Sequence, residues 1–141
     1  MSIPINIRPF ILPIECGEYK ILQFQRVYSE NDKVPLVRFS SAPLSKSPGS
    51  LHTMITDAFA KEIGVEVVRK TNEKSKLSIT ELPEETNIEI VGAGFCDVCS
   101  LNKVMIFFGG SRGYDMGINL DHLEQFRETC RNYGDYDVFS R

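Results

Sequence analysis

The run over residues 103–114 (KVMIFFGGSRGY) constrains the fold of this chain more than any other stretch. An apolar, aromatic segment breaks into three glycines around one serine and one arginine. The first half predicts a buried strand. The second half predicts a turn whose backbone amides are not shielded by side chains. Glycine lets a ligand approach the main chain closely, and successive N–H groups in such a turn converge on an anion. A plain loop, in which glycine only supplies positive φ, is the competing reading. The turn lacks the lysine and the spacing of a P-loop.

Around that segment the pattern predicts one sheet with two helices packed on it. Residues 1–15 carry three prolines and read as an extended arm. Residues 18–29 alternate apolar and polar side chains, with Tyr19, Ile21, Phe24 and Val27 marking a strand whose face shifts midway. Residues 35–40 form a second strand. Residues 50–63 read as a helix because Leu51, Ile55, Ala58 and Phe59 recur at helical spacing; Ser47 or Ser50 caps its start and Gly64 ends it. Residues 65–68 and 76–82 read as strands joined by a hairpin tip at 70–75. Another strand begins at 88–91 and is interrupted by Gly92-Ala93-Gly94. A second helix spans 119–131, with a capping-box-like pair of Asp121 and Glu124 and a buried stripe of Leu123, Phe126 and Cys130. Residues 136–139 close the chain as a short strand.

A length of 141 residues suits a single domain with its own core. The formal charge of -3, without a basic block, argues against non-specific nucleic-acid binding. No apolar run approaches the length of a membrane span, and the first residues lack the basic-then-apolar order of a secretory signal. The expectation is a cytoplasmic protein whose four cysteines are mostly reduced. Cys96-Asp97-Val98-Cys99 is a CxxC motif. A structural zinc site needs four ligands, and only Cys16, Cys130 and two distant histidines are left to complete it. A redox motif belongs at a helix start after a strand, whereas this one follows a glycine-rich break. The plain reading is two cysteines on a strand or turn, and no metal site is expected.

His52 stands near the start of the first helix. Exposed N–H groups and the macrodipole there disfavour imidazolium and attract anions. Neutral imidazole is the form that attacks phosphorus or accepts a proton. A surface or capping histidine is the alternative. Lys20 and Arg38 fall in predicted strands; on the rim of one cleft they would neutralise a phosphoryl group or orient the imidazole, and otherwise they are solvated cations.

Taken together these segments resemble the janus/ocnus family of small, metal-independent protein histidine phosphatases. The similarity runs in order through Tyr19-Lys20-Ile21-Leu22, Val37-Arg38, Leu51-His52-Thr53-Met54-Ile55, Gly92-Ala93-Gly94, residues 103–114 and Asp135-Tyr136-Asp137-Val138, covering most of residues 18–138. The resemblance implies an α+β fold, one mixed sheet flanked by two helices, as a single phosphohistidine-phosphatase-like domain over residues 1–141. It implies His52 as nucleophile or general base, with Lys20 orienting it. The backbone around Gly110, Ser111 and Gly113 would hold phosphate, Arg38 would assist, and no cofactor or metal would be needed. The substrate would be a phosphohistidine or phospholysine in a protein.

The chain also departs from the family pattern. Phe95 stands where the family places a phosphate-binding arginine, and residues 65–87 read as an inserted hairpin. Arg112 occupies a position that is apolar in the family and is a candidate replacement for the missing charge. These departures suit an alternative: a non-catalytic binding or scaffold protein on the same fold, using the hairpin or the anion cradle to meet a partner. A zinc module on Cys96 and Cys99 is a third, more distant reading.

Overall fold

The structure, a computed structural model, describes residues 6–49 and 51–141. Its long central strand, β1 (Gly17–Ser29), pairs antiparallel with β2 (Asp32–Phe39) on one side and with β5 (Ile88–Cys99) on the other. β6 (Val104–Phe108) continues the sheet antiparallel to β5, and β9 (Asp137–Ser140) closes it parallel to β6. The order is β2-β1-β5-β6-β9, a mixed sheet. The parallel pair is reached through helix α2 (Leu120–Asn132), as a parallel connection requires.

Strand alternation sends neighbouring side chains to opposite faces, and each face receives one helix. Tyr19, Ile21, Val37, Cys96 and Phe107 pack with Leu123, Phe126 and Cys130 of α2. Leu22, Phe24 and Leu36 pack with Ile55, Phe59, Ala60 and Ile63 of α1 (His52–Ile63). Along β1 the two cores are served by plain alternation, Tyr19 and Ile21 on one face and Leu22 and Phe24 on the other, so the expected shift of face is not a break in the strand. The bulge lies on β5: Gln23 opposes Gly92 and Phe24 opposes Ile90, which leaves Val91 as the extra residue and brings Ile90 and Ala93 to the same core.

Several expectations need correction. The glycines at 92–94 do not interrupt a strand; β5 runs through them. Gly92 is required because a Cβ there would sit 2.0 Å from Gln23 Oε1. Helix α1 begins at His52 with Leu51 as its N-cap and no side-chain cap, so Ser47 does not cap it, and Ser50 lies outside the described residues. Gly64 ends the helix at φ 78°, as expected. Helix α2 is capped by Asn119, whose side chain accepts from His122 N, which replaces the expected Asp121–Glu124 box. The sheet is not the only one. β3 (Val68–Thr71) and β4 (Ser78–Glu81) form a separate two-stranded ladder, and β7 (Gly110–Ser111) and β8 (Met116–Gly117) form another within the glycine turn. Residues 6–16 carry no regular secondary structure and bend at Pro9, Ile14 and Glu15, with Pro9 O accepting from Val37 N; residues 1–5 of the expected arm lie outside the described residues. No helix among the described residues is long and apolar enough to cross a membrane.

Candidate functional site

The loop after β2 fixes Lys20 through its main chain. Ser40 N donates to Lys20 O at 2.8 Å, and Ser40 Oγ accepts from Lys20 N at 3.1 Å. The same register that pairs Lys20 with Phe95, and Phe95 with Phe108, puts these three side chains on the sheet face that α1 covers. The β5–β6 ladder stops at Phe95–Phe108, and the chain turns away at Gly109 with φ 74°. A Cβ on Gly109 would lie 2.7 Å from Phe95 Cδ2, so glycine supplies both the left-handed backbone and the room for that ring.

His52, the first residue of α1, reaches across to the Gly94 carbonyl with its Nε2 at 2.8 Å. A carbonyl only accepts, so Nε2 carries the ring proton and Nδ1 keeps its lone pair. Among the described residues no protein group bonds Nδ1. The ring is 8% exposed. Burial lowers its pKa below 6.5 and the nearby Lys20 charge acts in the same direction, while the Gly94 carbonyl pulls the other way. The first turn of α1 contains no acidic residue.

The glycine turn is held from behind. Ser75 Oγ donates to Gly113 O at 2.7 Å and Asn72 Nδ2 to Tyr114 O at 3.3 Å, so the β3–β4 hairpin clamps the carbonyl side of the turn. Tyr114 N donates to Ser111 Oγ at 3.4 Å and Asp115 N to Arg112 O at 3.2 Å. That leaves the amides of Arg112 and Gly113 with no acceptor among the described residues. Buried beneath, the Tyr114 hydroxyl donates to Thr80 O at 2.6 Å and lies 3.0 Å from Thr56 Oγ1 on α1. Thr80 Oγ1 donates to Thr53 O at 3.1 Å. This polar knot ties turn, hairpin and helix into one unit, and so sets the turn against His52.

These groups share one cavity of about 520 Å³. Lys20, His52, Gly110, Ser111, Arg112 and Gly113 all line it, with Leu51, Leu77 and Phe95 as apolar walls. Two cations and no carboxylate face it among the described residues. Phe95 forms a wall instead of a plug: its ring meets the His52 ring edge-on at 5.8 Å and stacks on Phe108 at 5.6 Å.

Arg38 does not join this group. Its guanidinium is buried, bonded to both Glu62 oxygens at 2.9 and 2.8 Å and to the carbonyls of Arg8, Pro9 and Val37. It also stacks over Phe59 at 4.5 Å and lines a different cavity. A cation with every donor committed inside the protein has none left for a ligand, so its expected assistance is replaced by a role in anchoring the arm to α1. Sequence reasoning missed Tyr114, Thr56, Thr80, Ser75 and Asn72. Their only sequence signal was membership of the turn or of the hairpin that looked inserted. Among the described residues no three His, Cys, Asp or Glu side chains are grouped to hold a metal ion.

Comparison with known proteins returns no matching family model and no matching curated protein.

Proposed function

We propose that this chain is a cytoplasmic, metal-independent phosphatase acting on phosphohistidine or phospholysine in proteins. The observation that carries the reading is the shared cavity, in which a neutral imidazole and the turn amides are joined by two cations without a carboxylate. Such a cavity favours a doubly charged anion, and charge that develops on its oxygens is met by donors already in place. His52 supplies Nδ1 in one of two ways. It attacks phosphorus, an Nδ1–P bond forming as the substrate P–N bond breaks and water then cleaving the Nδ1–P bond, or it takes a proton from water as the new P–O bond forms and the P–N bond breaks. In both the leaving nitrogen takes up a proton. Burial, aided by the Lys20 charge, keeps the ring neutral, and Lys20, Arg112 and the amides of Arg112 and Gly113 bear on the phosphoryl oxygens. Arg112 takes the place of the arginine that the resemblance leads one to expect where Phe95 stands.

The test is hydrolysis of a phosphohistidine peptide in chelator by the wild-type chain and by His52→Ala. Loss of turnover in the variant supports the reading. Equal turnover in both removes His52 from the chemistry. Phe95 favours a second reading, in which the cavity holds a phosphorylated partner without turning it over. An aromatic wall beside the imidazole gives a stacking surface where the family pattern has a charge. Saturable binding of an intact phosphopeptide without hydrolysis would select it.

A further inference from the structure

Strand alternation separates the two cysteines of the CxxC motif. Cys96 is buried in the core beneath α2, whereas Cys99, three residues along the same strand, belongs to the opposite face. The register of β1 and β5 then supplies Cys99 with a different neighbour. Gly17 stands opposite Val98, so the next positions outward, Cys16 and Cys99, face each other at the open end of the ladder. Their Sγ atoms are 3.8 Å apart, with Cys16 exposed and Cys99 half-buried. We propose that Cys16 and Cys99 form a reversible dithiol–disulfide site that reacts with peroxides, Cys16 attacking and Cys99 resolving.

The chemistry balances with a peroxide as the two-electron oxidant. The Cys16 thiolate attacks one peroxide oxygen; the O–O bond breaks, and the leaving hydroxide or alkoxide takes up a proton. Cys16 is then a sulfenic acid. The Cys99 sulfur attacks the Cys16 sulfur, the S–O bond breaks, and water leaves with the Cys99 proton. A disulfide needs its sulfurs at roughly 2.05 Å, and opposed cross-strand positions bring Cβ atoms to about 5 Å, so the remaining approach is within reach of side-chain rotation and a small adjustment at the strand end. Hydrogen bonds from the Ser100 side chain and backbone, then from the Leu101 backbone and the Cys99 thiol, hold the Cys16 pKa below 9.0 and enrich its thiolate. The other two cysteines are built the opposite way. Burial raises Cys96 well above 9.0 and pushes Cys130 up to about 12, so both stay protonated in the core.

The experiment treats the reduced full-length chain with hydrogen peroxide, blocks free thiols by alkylation and maps peptides without reduction. A Cys16–Cys99 cross-linked peptide is expected, with two thiols lost per chain and both restored by dithiothreitol. Cys99→Ser should stop at a Cys16 sulfenic acid trapped by dimedone. The proposal fails if peroxide leaves Cys16 and Cys99 alkylatable. It fails equally if the mapped bridge contains Cys96, or if Cys16 is joined only to a second chain. The wild-type map decides the matter even where a variant does not fold.

Discussion

Lowering the pH should destabilise this protein through His122, which lies wholly outside the proposed site. The ring is 3% exposed at the start of α2. Gln23 Nε2 lies 3.1 Å from its Nδ1, and the amide nitrogen only donates, so Nδ1 is an acceptor. Nε2 therefore carries the proton and is shared between Phe24 O at 2.9 Å and Leu36 O at 3.1 Å. A second ring proton would point at the Gln23 donor group. Gln23 cannot turn to receive it, because its Oε1 accepts from Asn119 N at 2.7 Å and its Nε2 also donates to Asn119 O at 3.0 Å. Burial lowers the pKa from 6.5 to about 4, against the pull of the two carbonyls.

The sign follows directly. Between pH 6.5 and about 4 the unfolded chain binds a proton at this histidine and the folded chain does not, so stability falls as pH falls through that window. The loss is about 2 kcal/mol by pH 5 and about 3 kcal/mol by pH 4, a large share of the roughly 5–15 kcal/mol that holds a domain of this kind together. Urea unfolding across the pH series should be run on the wild type and on His122→Gln, and the difference between them isolates this one titration. The reasoning predicts that the wild type's advantage over the variant shrinks by about 3 kcal/mol as pH falls from 7 to 4. A difference that stays constant over that range would refute it.

Other consequences bear on the site. Tyr114→Phe removes the hydroxyl that joins Thr80 and Thr56; unfolding should cost about 1–3 kcal/mol less, and calorimetric phosphate affinity should drop because the turn loses its tie to α1. Phe95→Arg places a guanidinium beside His52 in a cavity that already holds Lys20 and Arg112; phosphate should bind about tenfold tighter in the same assay. Arg112→Ala should weaken phosphate binding by a similar factor, and unchanged affinity would dismiss Arg112 as the substitute charge. If His52 acts as neutral imidazole, its lowered pKa places the acid limb of the kcat/KM profile below pH 6.5.

The α+β layout was legible because it rests on local signals. Apolar alternation found β1, and 3.6-residue periodicity with Gly64 found α1. The break in apolar alternation read along β1 reflects a strand covered on both faces, with Leu22 and Phe24 serving one core and Tyr19 and Ile21 the other, while the bulge lies on β5 at Val91. The glycines at 92 and 94 misled, since a glycine in a strand is called for equally by a turn and by another group's close approach. Here the approaching groups are Gln23 Oε1 and Phe108 O, which are distant in sequence. The CxxC motif reads as two cysteines on a strand or turn, and both lie on β5, where three-residue spacing parts side chains that a helix would bring together. Arg38 was misplaced because nothing local marks Glu62 and the Arg8 carbonyl as its partners. The convergence of His52, Lys20 and the glycine turn came from the order of short motifs along the chain. The hydroxyl knot at Tyr114 that fixes them is wholly non-local, which is why it was missed.

The most direct measurement of the central claim is a titration of the isotopically labelled chain with inorganic phosphate, followed by the amide resonances of Arg112 and Gly113 and the ring resonances of His52. The account predicts saturable shifts at both amides and at the imidazole with one common dissociation constant, abolished together in a Lys20→Ala, Arg112→Ala double variant. Phosphate that leaves those resonances unmoved, or that shifts the imidazole and the amides with unrelated affinities, would contradict it.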